Sequence, residues 1–304
     1  MAEGEGGVKE PIQASKRESG ISKIIGWDEE KRKGVESLFN NLFENQLGKR
    51  ISFEKDYIEK LEREKTKEER EIIREVLNRI SQFVEKYGGN PLLLTLEHIH
   101  ILDISNFSEE TKKLIEKEGG RGFYSSSQQF FCILDIGNNL EKVDTIIHEL
   151  LHFNSFQSVE KLDWKIIKSN TRMRRGGITI ASYDKKQQLY PSHIYFEGLN
   201  EAIIEELTIR FGQGNFELIP ELQRELIDKN TYGYSEERKK LKEIIEKIYE
   251  TNKDLEHFNS SEDVFYIFAK AVMSGKTLKI ARLIEKTYGK GSFRKLGEET
   301  KNKK

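Results

Sequence analysis

The chain is poor in the features that mark several large classes of protein. It has a single cysteine, Cys132, in 304 residues. That excludes an internal disulfide framework and any zinc module built from several thiolates, and it suits a reducing compartment. No stretch approaches the roughly 18 consecutive apolar residues of a transmembrane helix, so no membrane partner is expected. The opening residues, from Met1 to Gly7, are acidic and Gly-rich, with no basic end running into an apolar segment. They do not have the form of a secretory signal, and a cytoplasmic location is expected. Charge of one sign is also lacking: 51 Lys and Arg face 52 Asp and Glu, leaving a formal charge of -1. A balance this close gives no global attraction to nucleic acid or to an anionic membrane. No internal repeat or long low-complexity tract is present.

What is present points to a folded chain. Charged residues reach 34% and hydrophobic residues 36%, but aromatics at 10% and frequent Ile and Leu argue against wholesale disorder. A chain of this length buries roughly three quarters of its unfolded surface and needs no metal or disulfide merely to stay folded. Residues 1–26 lack periodicity and read as a flexible tail. Between Trp27 and Gly48, Val35, Leu38, Phe39, Leu42 and Phe43 recur at helical spacing. Residues 53–87 carry an apolar stripe through a heavily charged background. They are expected to form one amphipathic helix or two, closed by Gly88-Gly89-Asn90-Pro91.

The pattern then shifts. Leu92 to Asp103 alternates like a strand, a short helix is expected over 108–118, and 122–136 reads as one or two strands around Ser125-Ser126-Ser127. Asn138-Asn139 opens a helix running to about Phe156. Residues 157–195 suggest only a hairpin after Gly176-Gly177. The segment 197–212 reads as a strong helix, and everything beyond 216 as helical. The expected class is α+β, with an N-terminal lobe over 27–156 and a C-terminal lobe over 157–304.

One segment carries chemistry. His148-Glu149-Leu150-Leu151-His152 is an H-E-x-x-H sequence. On a helix the two histidines stand one turn apart on one face and can share a tetrahedral metal. Glu149 is turned by about 100° from His148, so it is free to act as a base on a water molecule at the metal. Chance would produce the pattern about 0.01 times in a chain of this composition, and Val143, Ile146, Ile147, Leu150 and Leu151 supply an apolar side for burial.

A third ligand must come from elsewhere. Downstream candidates are His193 and several acids, of which Glu201 and Glu205 are the best placed, four residues apart on one helix face. One carboxylate could ligate the metal. The other could accept a hydrogen bond from the free ring nitrogen of a ligand histidine.

Together, His148-Glu149-Leu150-Leu151-His152 and Asn200-Glu201-Ala202-Ile203-Ile204-Glu205 resemble the gluzincin metallopeptidases. The second segment is similar to the Asn-Glu-Ala-x-x-Asp stretch of thermolysin-like enzymes. The resemblance covers residues 120–212 and implies that Glu201 is the third ligand of one Zn2+ per chain and that Glu205 supports His148. It implies a zincin-like fold: a small mixed sheet over the active-site helix and a mainly helical C-terminal lobe. It implies hydrolysis of peptide or protein substrates, with Glu149 as general base. The sequence departs from the thermolysin pattern in three respects. Glu201 lies 49 positions after His152, Glu205 is one methylene longer than aspartate, and no acidic calcium-binding array is present. A divergent branch is therefore expected.

Other zinc classes fit less well. A metzincin needs Gly and His where Ser155 and Ser158 stand. His193 as third ligand would give an all-histidine site similar to that of SprT-type nucleic-acid-associated proteases, a reading weakened by the near-zero charge. Asp228 is poorly spaced for an aspartate-ligand site. The oxyanion needs a second donor. His193 and Tyr195 are the first candidates, and Tyr183, Tyr190, Tyr232 and Tyr234 are others. A non-catalytic zincin-like binding or regulatory protein is the alternative from another class, and Glu149 argues against it, because a structural site needs no base. Cys132 reads as a small buried hydrophobe, His98 and His100 as an ordinary sheet face, His257 as a surface residue, and Arg172-Met173-Arg174-Arg175 as a solvated hairpin edge.

Overall fold

The computed structural model describes residues 22–25, 29–44, 52–53, 56–118, 121–125, 130–136, 139–162, 171–183, 193–215 and 234–299. In chain order the strands are β1 (Lys23–Ile25), β2 (Ser52–Phe53), β3 (Asp56–Tyr57), β4 (Ile99–Leu102), β5 (Gly122–Ser125), β6 (Phe130–Leu134), β7 (Gln157–Leu162), β8 (Thr171–Gly176), β9 (Thr179–Tyr183) and β10 (His193–Tyr195). The helices are α1 (Glu29–Glu44), α2 (Ile58–Leu61), α3 (Lys67–Lys86), α4 (Glu109–Glu118), α5 (Asn139–Asn154), α6 (Glu197–Gly214), α7 (Ser235–Glu256), α8 (Ser261–Ser274), α9 (Leu278–Tyr288) and α10 (Ser292–Glu299). The architecture is mixed helix and strand with small sheets. No helix among the described residues is long and apolar enough to cross a membrane.

The charged stretch at 53–87 resolves into two helices with a short two-stranded hairpin before them. The longer helix, α3, begins at a capping box: Thr66 Oγ1 accepts from the Glu69 amide at 3.1 Å, and the Thr66 amide donates back to Glu69 Oε2 at 2.8 Å. Ile73, Val76, Ile80 and Val84 recur at helical spacing and are buried. The helix stops where Gly88 takes a positive φ of 72°.

A three-stranded sheet of order β4-β6-β5 lies next to it, with β4 parallel and β5 antiparallel to the central β6. Side chains alternate across this sheet. Ile99, Ile101, Phe131 and Ile133 enter the main core, where α3 and α5 lie, while Leu102, Cys132 and Leu134 join a smaller cluster with Ile58, Leu61 and Phe107. Each fully buried Ile or Leu of this kind contributes about 1.5–3 kcal/mol of burial free energy. The alternation expected from Leu92 onwards holds only from Ile99, because Leu96–His98 forms a 3-10 turn.

The segment between the two motif helices is a sheet. Its order is β1-β7-β8-β9-β10, with β7 to β10 antiparallel in sequence. Here β7 starts just after α5 and β10 ends just before α6, so the insertion leaves the first motif helix and returns to the second. Two expectations change. Lys23–Ile25, within the stretch read as a flexible tail, pairs in parallel with Ser158–Glu160. Three residues are too few to show a period, and the backbone pairing does not depend on one; the rest of 1–21 lies outside the described residues. The Arg172–Arg175 run is not a hairpin edge, since β8 is the central strand of this sheet.

The C-terminal helices α7 and α8 pack against α6, α9 packs on those two, and α10 packs on α9 and β10. Helix α6 is buried on nearly every side, from Leu199 and Ala202 to Phe211 and Gly212. It has the all-round burial of a central helix, where the surrounding helices and β9 replace solvent.

Candidate metal centre

Two helices supply the candidate ligands. In α5 the apolar residues Val143, Ile146, Ile147, Leu150, Leu151 and Phe153 are buried, which fixes the helix rotation. His148, Glu149 and His152 fall on the remaining arc. In α6, burial of Leu199, Ala202, Ile203 and Leu207 leaves Glu201 and Glu205 turned toward α5.

The two helices bring three ligand atoms to one point. His148 Nε2 lies 3.1 Å from His152 Nε2, His152 Nε2 lies 3.0 Å from Glu201 Oε2, and His148 Nε2 lies 3.5 Å from the same oxygen. Among the described residues this is the only grouping of three His, Cys, Asp or Glu side chains that could hold a metal ion. Tetrahedral ligands at zinc distances of about 2.0–2.1 Å sit about 3.3 Å from one another, so the triangle has the size the ion needs.

The protonation pattern agrees with that fit. His148 Nδ1 lies 2.9 Å from Glu205 Oε2. A carboxylate there accepts a hydrogen bond from Nδ1–H, and in the neutral ring that tautomer leaves the Nε2 lone pair facing the other two ligand atoms. Two imidazoles and a carboxylate converge, a set that stabilises a cation between them, either a proton on the His148 ring or a metal ion that displaces it. Burial opposes a charge on His148, but the Glu201 and Glu205 carboxylates outweigh it and raise its pKa. Burial likewise opposes ionisation of Glu201, and the two histidines reverse the effect and hold it well below the usual carboxylate range.

Glu149 sits beside this group and is buried. Burial pushes its carboxyl up, partly offset by His148 and His152. Tyr234, just ahead of α7, also meets this group. Its ring stacks on His148, with centroids 6.2 Å apart and planes 6° from parallel. Burial and the nearby Glu201 and Glu149 charges raise the phenol pKa. The residue holds a left-handed backbone, φ 56°, at the N-cap of α7. Such conformations cost of order 1 kcal/mol in a non-glycine residue and cluster at functional sites.

Asp144, one turn before His148, is a further group that the sequence reading did not single out. Burial and the Glu205 charge push its carboxyl up to about 7. Its signal was the same four-residue spacing to His148 that joins His148 to His152.

Two of the remaining candidates, His193 and Tyr195, stand on β10. Tyr195 is half-buried on β10 and packs against the main core. His193, also on β10, pairs with Ser182 of β9. Tyr183 ends β9, opposite Arg172. Tyr190, Asp228 and Tyr232 lie outside the described residues. His100 Nδ1 meets Glu62 Oε2 at 2.9 Å, and Cys132 is fully buried with its thiol pushed up by burial. His257 is exposed at the end of α7. No family model, no curated protein and no solved structure matches the chain.

Proposed function

We propose that this chain is a zinc-dependent metallopeptidase of divergent gluzincin type, with one ion per chain held by His148, His152 and Glu201. The observation that carries the reading is the convergence of those three ligand atoms, with Glu149 next to His148 in sequence and left out of the triangle. A purely structural site has no use for a buried carboxylate in that position. The mixed sheet beside α5, and α6 crossing behind it, support a zincin-like arrangement.

A zinc ion held there would supply Lewis acidity, polarising a peptide carbonyl and acidifying water. Glu149 then takes the proton of the attacking water and delivers it to the departing amine nitrogen. Its raised pKa suits a group that must accept a proton and release it again. Glu205 fixes the His148 ring and its tautomer through Nδ1. Tyr234, whose ring stacks on His148, takes the role of second donor to the oxyanion.

The test is zinc per chain together with hydrolysis of a casein and peptide mixture, for the wild type and for Glu201→Ala. The wild type should hold about one zinc and cleave peptides in a chelator-sensitive manner, and Glu201→Ala should lose both. A wild type that takes up no zinc when supplied with it would sink the proposal. Zinc uptake without cleavage of any peptide would leave a zincin-shaped binding protein.

A further inference from the structure

We infer that the hairpin turn at Gly176-Gly177-Ile178 and the side chain of Asn200 act as a clamp that sets Glu201 at coordinating distance from His148 and His152. This rests on the metal-site reading above and assigns positioning residues to it.

The two ligand helices are separated by the 157–195 sheet in the chain; they pack directly on each other, and contacts from that sheet add to what holds one from sliding along the other. The turn between β8 and β9 makes those contacts on both sides. Toward α5, the Gly177 amide donates to the Phe156 carbonyl at 2.7 Å, and the Phe156 amide donates in turn to Val272 at 3.0 Å. Phe156 is two residues past the end of α5. Gln157 Nε2 donates to the His152 carbonyl at 3.3 Å and to Ser155 Oγ at 3.0 Å, while Ser155 Oγ donates to the His152 carbonyl at 2.7 Å. Gly176 lies against this Gln157 side chain: a Cβ there would sit 3.2 Å from its Oε1. The backbone of one ligand residue is thus held by a side chain packed on the turn.

Toward α6, the Ile178 amide donates to Asn200 Oδ1 at 3.1 Å. Asn200 is the neighbour of Glu201 and is only 3% exposed. Gly177 has φ +59°, and a Cβ on it would stand 2.3 Å from Asn200 Oδ1 and 3.2 Å from Val272 Cγ1. Only glycine lets the backbone turn this tightly and lets Asn200 approach. One turn therefore bridges the last residues of α5 and the first turn of α6.

The consequence is geometric. Zinc ligation tolerates about ±0.2 Å in ligand distance. His152 and Glu201 belong to different helices, and a small slide of α6 would open their 3.0 Å approach. Asn200 resists that slide, because its amide oxygen is pinned to a backbone that is itself pinned to the end of α5. It does so without touching the ion.

The test compares Asn200→Ala, Gly177→Ala, the double variant and a control, Asn252→Ala. Asn252 is also a fully buried asparagine, bonded to the Ile248 carbonyl and Thr287 Oγ1, but it lies in the C-terminal helices. Zinc affinity is measured by competition with a chromophoric chelator, and ligand geometry by the visible absorption of the cobalt-substituted protein. Asn200→Ala should weaken zinc about 10- to 100-fold and reduce the cobalt band. Asn252→Ala should lower thermal stability comparably and leave both readouts unchanged. The double variant should bind zinc no more weakly than Gly177→Ala alone, since the two act through one contact. Should Asn200→Ala fail to fold, Asn200→Ser removes the same reach with a smaller void and carries the same expectation. Wild-type zinc affinity in the Asn200 variants, or a loss no larger than in Asn252→Ala, overturns the clamp while leaving the metal site standing. A wild type that binds no zinc overturns the metal site, and the clamp with it.

Discussion

Glu69→Gln should destabilise the protein by about 2 kcal/mol at pH 7 and by much less near pH 2. Glu69 is the hub of a four-charge network. Arg63 forks onto both its oxygens, at 2.9 and 2.7 Å, and Lys142 reaches it at 3.2 Å. The same two cations grip Asp135, Arg63 through Nε and Lys142 at 3.0 Å. The network ties the entry to α3, the end of β6 and the first turn of α5, which is the helix that carries both histidines. Chiefly through Arg63, the Glu69 carboxyl is held at about 2 instead of 4.5. At ~1.4 kcal/mol per pH unit that difference is worth at most ~3.5 kcal/mol, and access of solvent to Arg63 and Asp135 reduces it to about 2. The folded-state pKa is depressed, so the stabilisation is complete above 4.5 and is lost as pH falls toward 2. Asp135 titrates over the same range, from 3.8 to about 2. It is present in both proteins, so most of its effect cancels in the difference. Urea unfolding followed by far-UV circular dichroism, at several pH values between 7 and 2.5, measures the gap directly. A gap below about 0.5 kcal/mol at pH 7 would refute the assignment, because that is the worth of an ordinary exposed pair. So would a gap that stays constant down to pH 2.5, since a loss of packing alone does not titrate.

Two substitutions separate binding from catalysis at the metal centre. Glu149→Gln should keep about one zinc per chain and lower peptide hydrolysis about 10²- to 10⁴-fold, the usual worth of a positioned acid-base group; metal analysis and a fluorogenic peptide assay on the same preparation check both halves. Tyr234→Phe keeps the ring that stacks on His148 and removes only the hydroxyl. Its kcat should fall about 10²- to 10³-fold with little change in KM or zinc content, as for loss of one oxyanion donor. A fall confined to KM would assign the residue to substrate binding instead.

How legible each part was in the sequence follows from how local its physics is. His148 and His152 are legible because four residues on a helix always return to the same face, and the apolar residues between them say which face is buried. Glu201 and Glu205 obey the same rule. The spacing does not state which of the two meets His152 Nε2 and which meets His148 Nδ1; the packing of α6 against α5 separates them. The five-stranded sheet was mostly illegible, and for a different reason. Its strands run from three to six residues, too short for alternation to stand out, and Lys23–Ile25 finds its partner more than a hundred residues away. Tyr234 was one tyrosine among several until α7 placed its ring on His148, a contact that no local spacing encodes. Gly176-Gly177 did read as a turn, yet nothing local said what the turn holds. The candidate ligands are thus legible as short spacings within each helix, while the distance between the helices depends on packing between segments far apart in the chain, the proposed glycine-turn clamp included. A substitution at Gly177 can therefore disable the centre with all three ligands intact, and it would look harmless to any reading confined to the two motif segments.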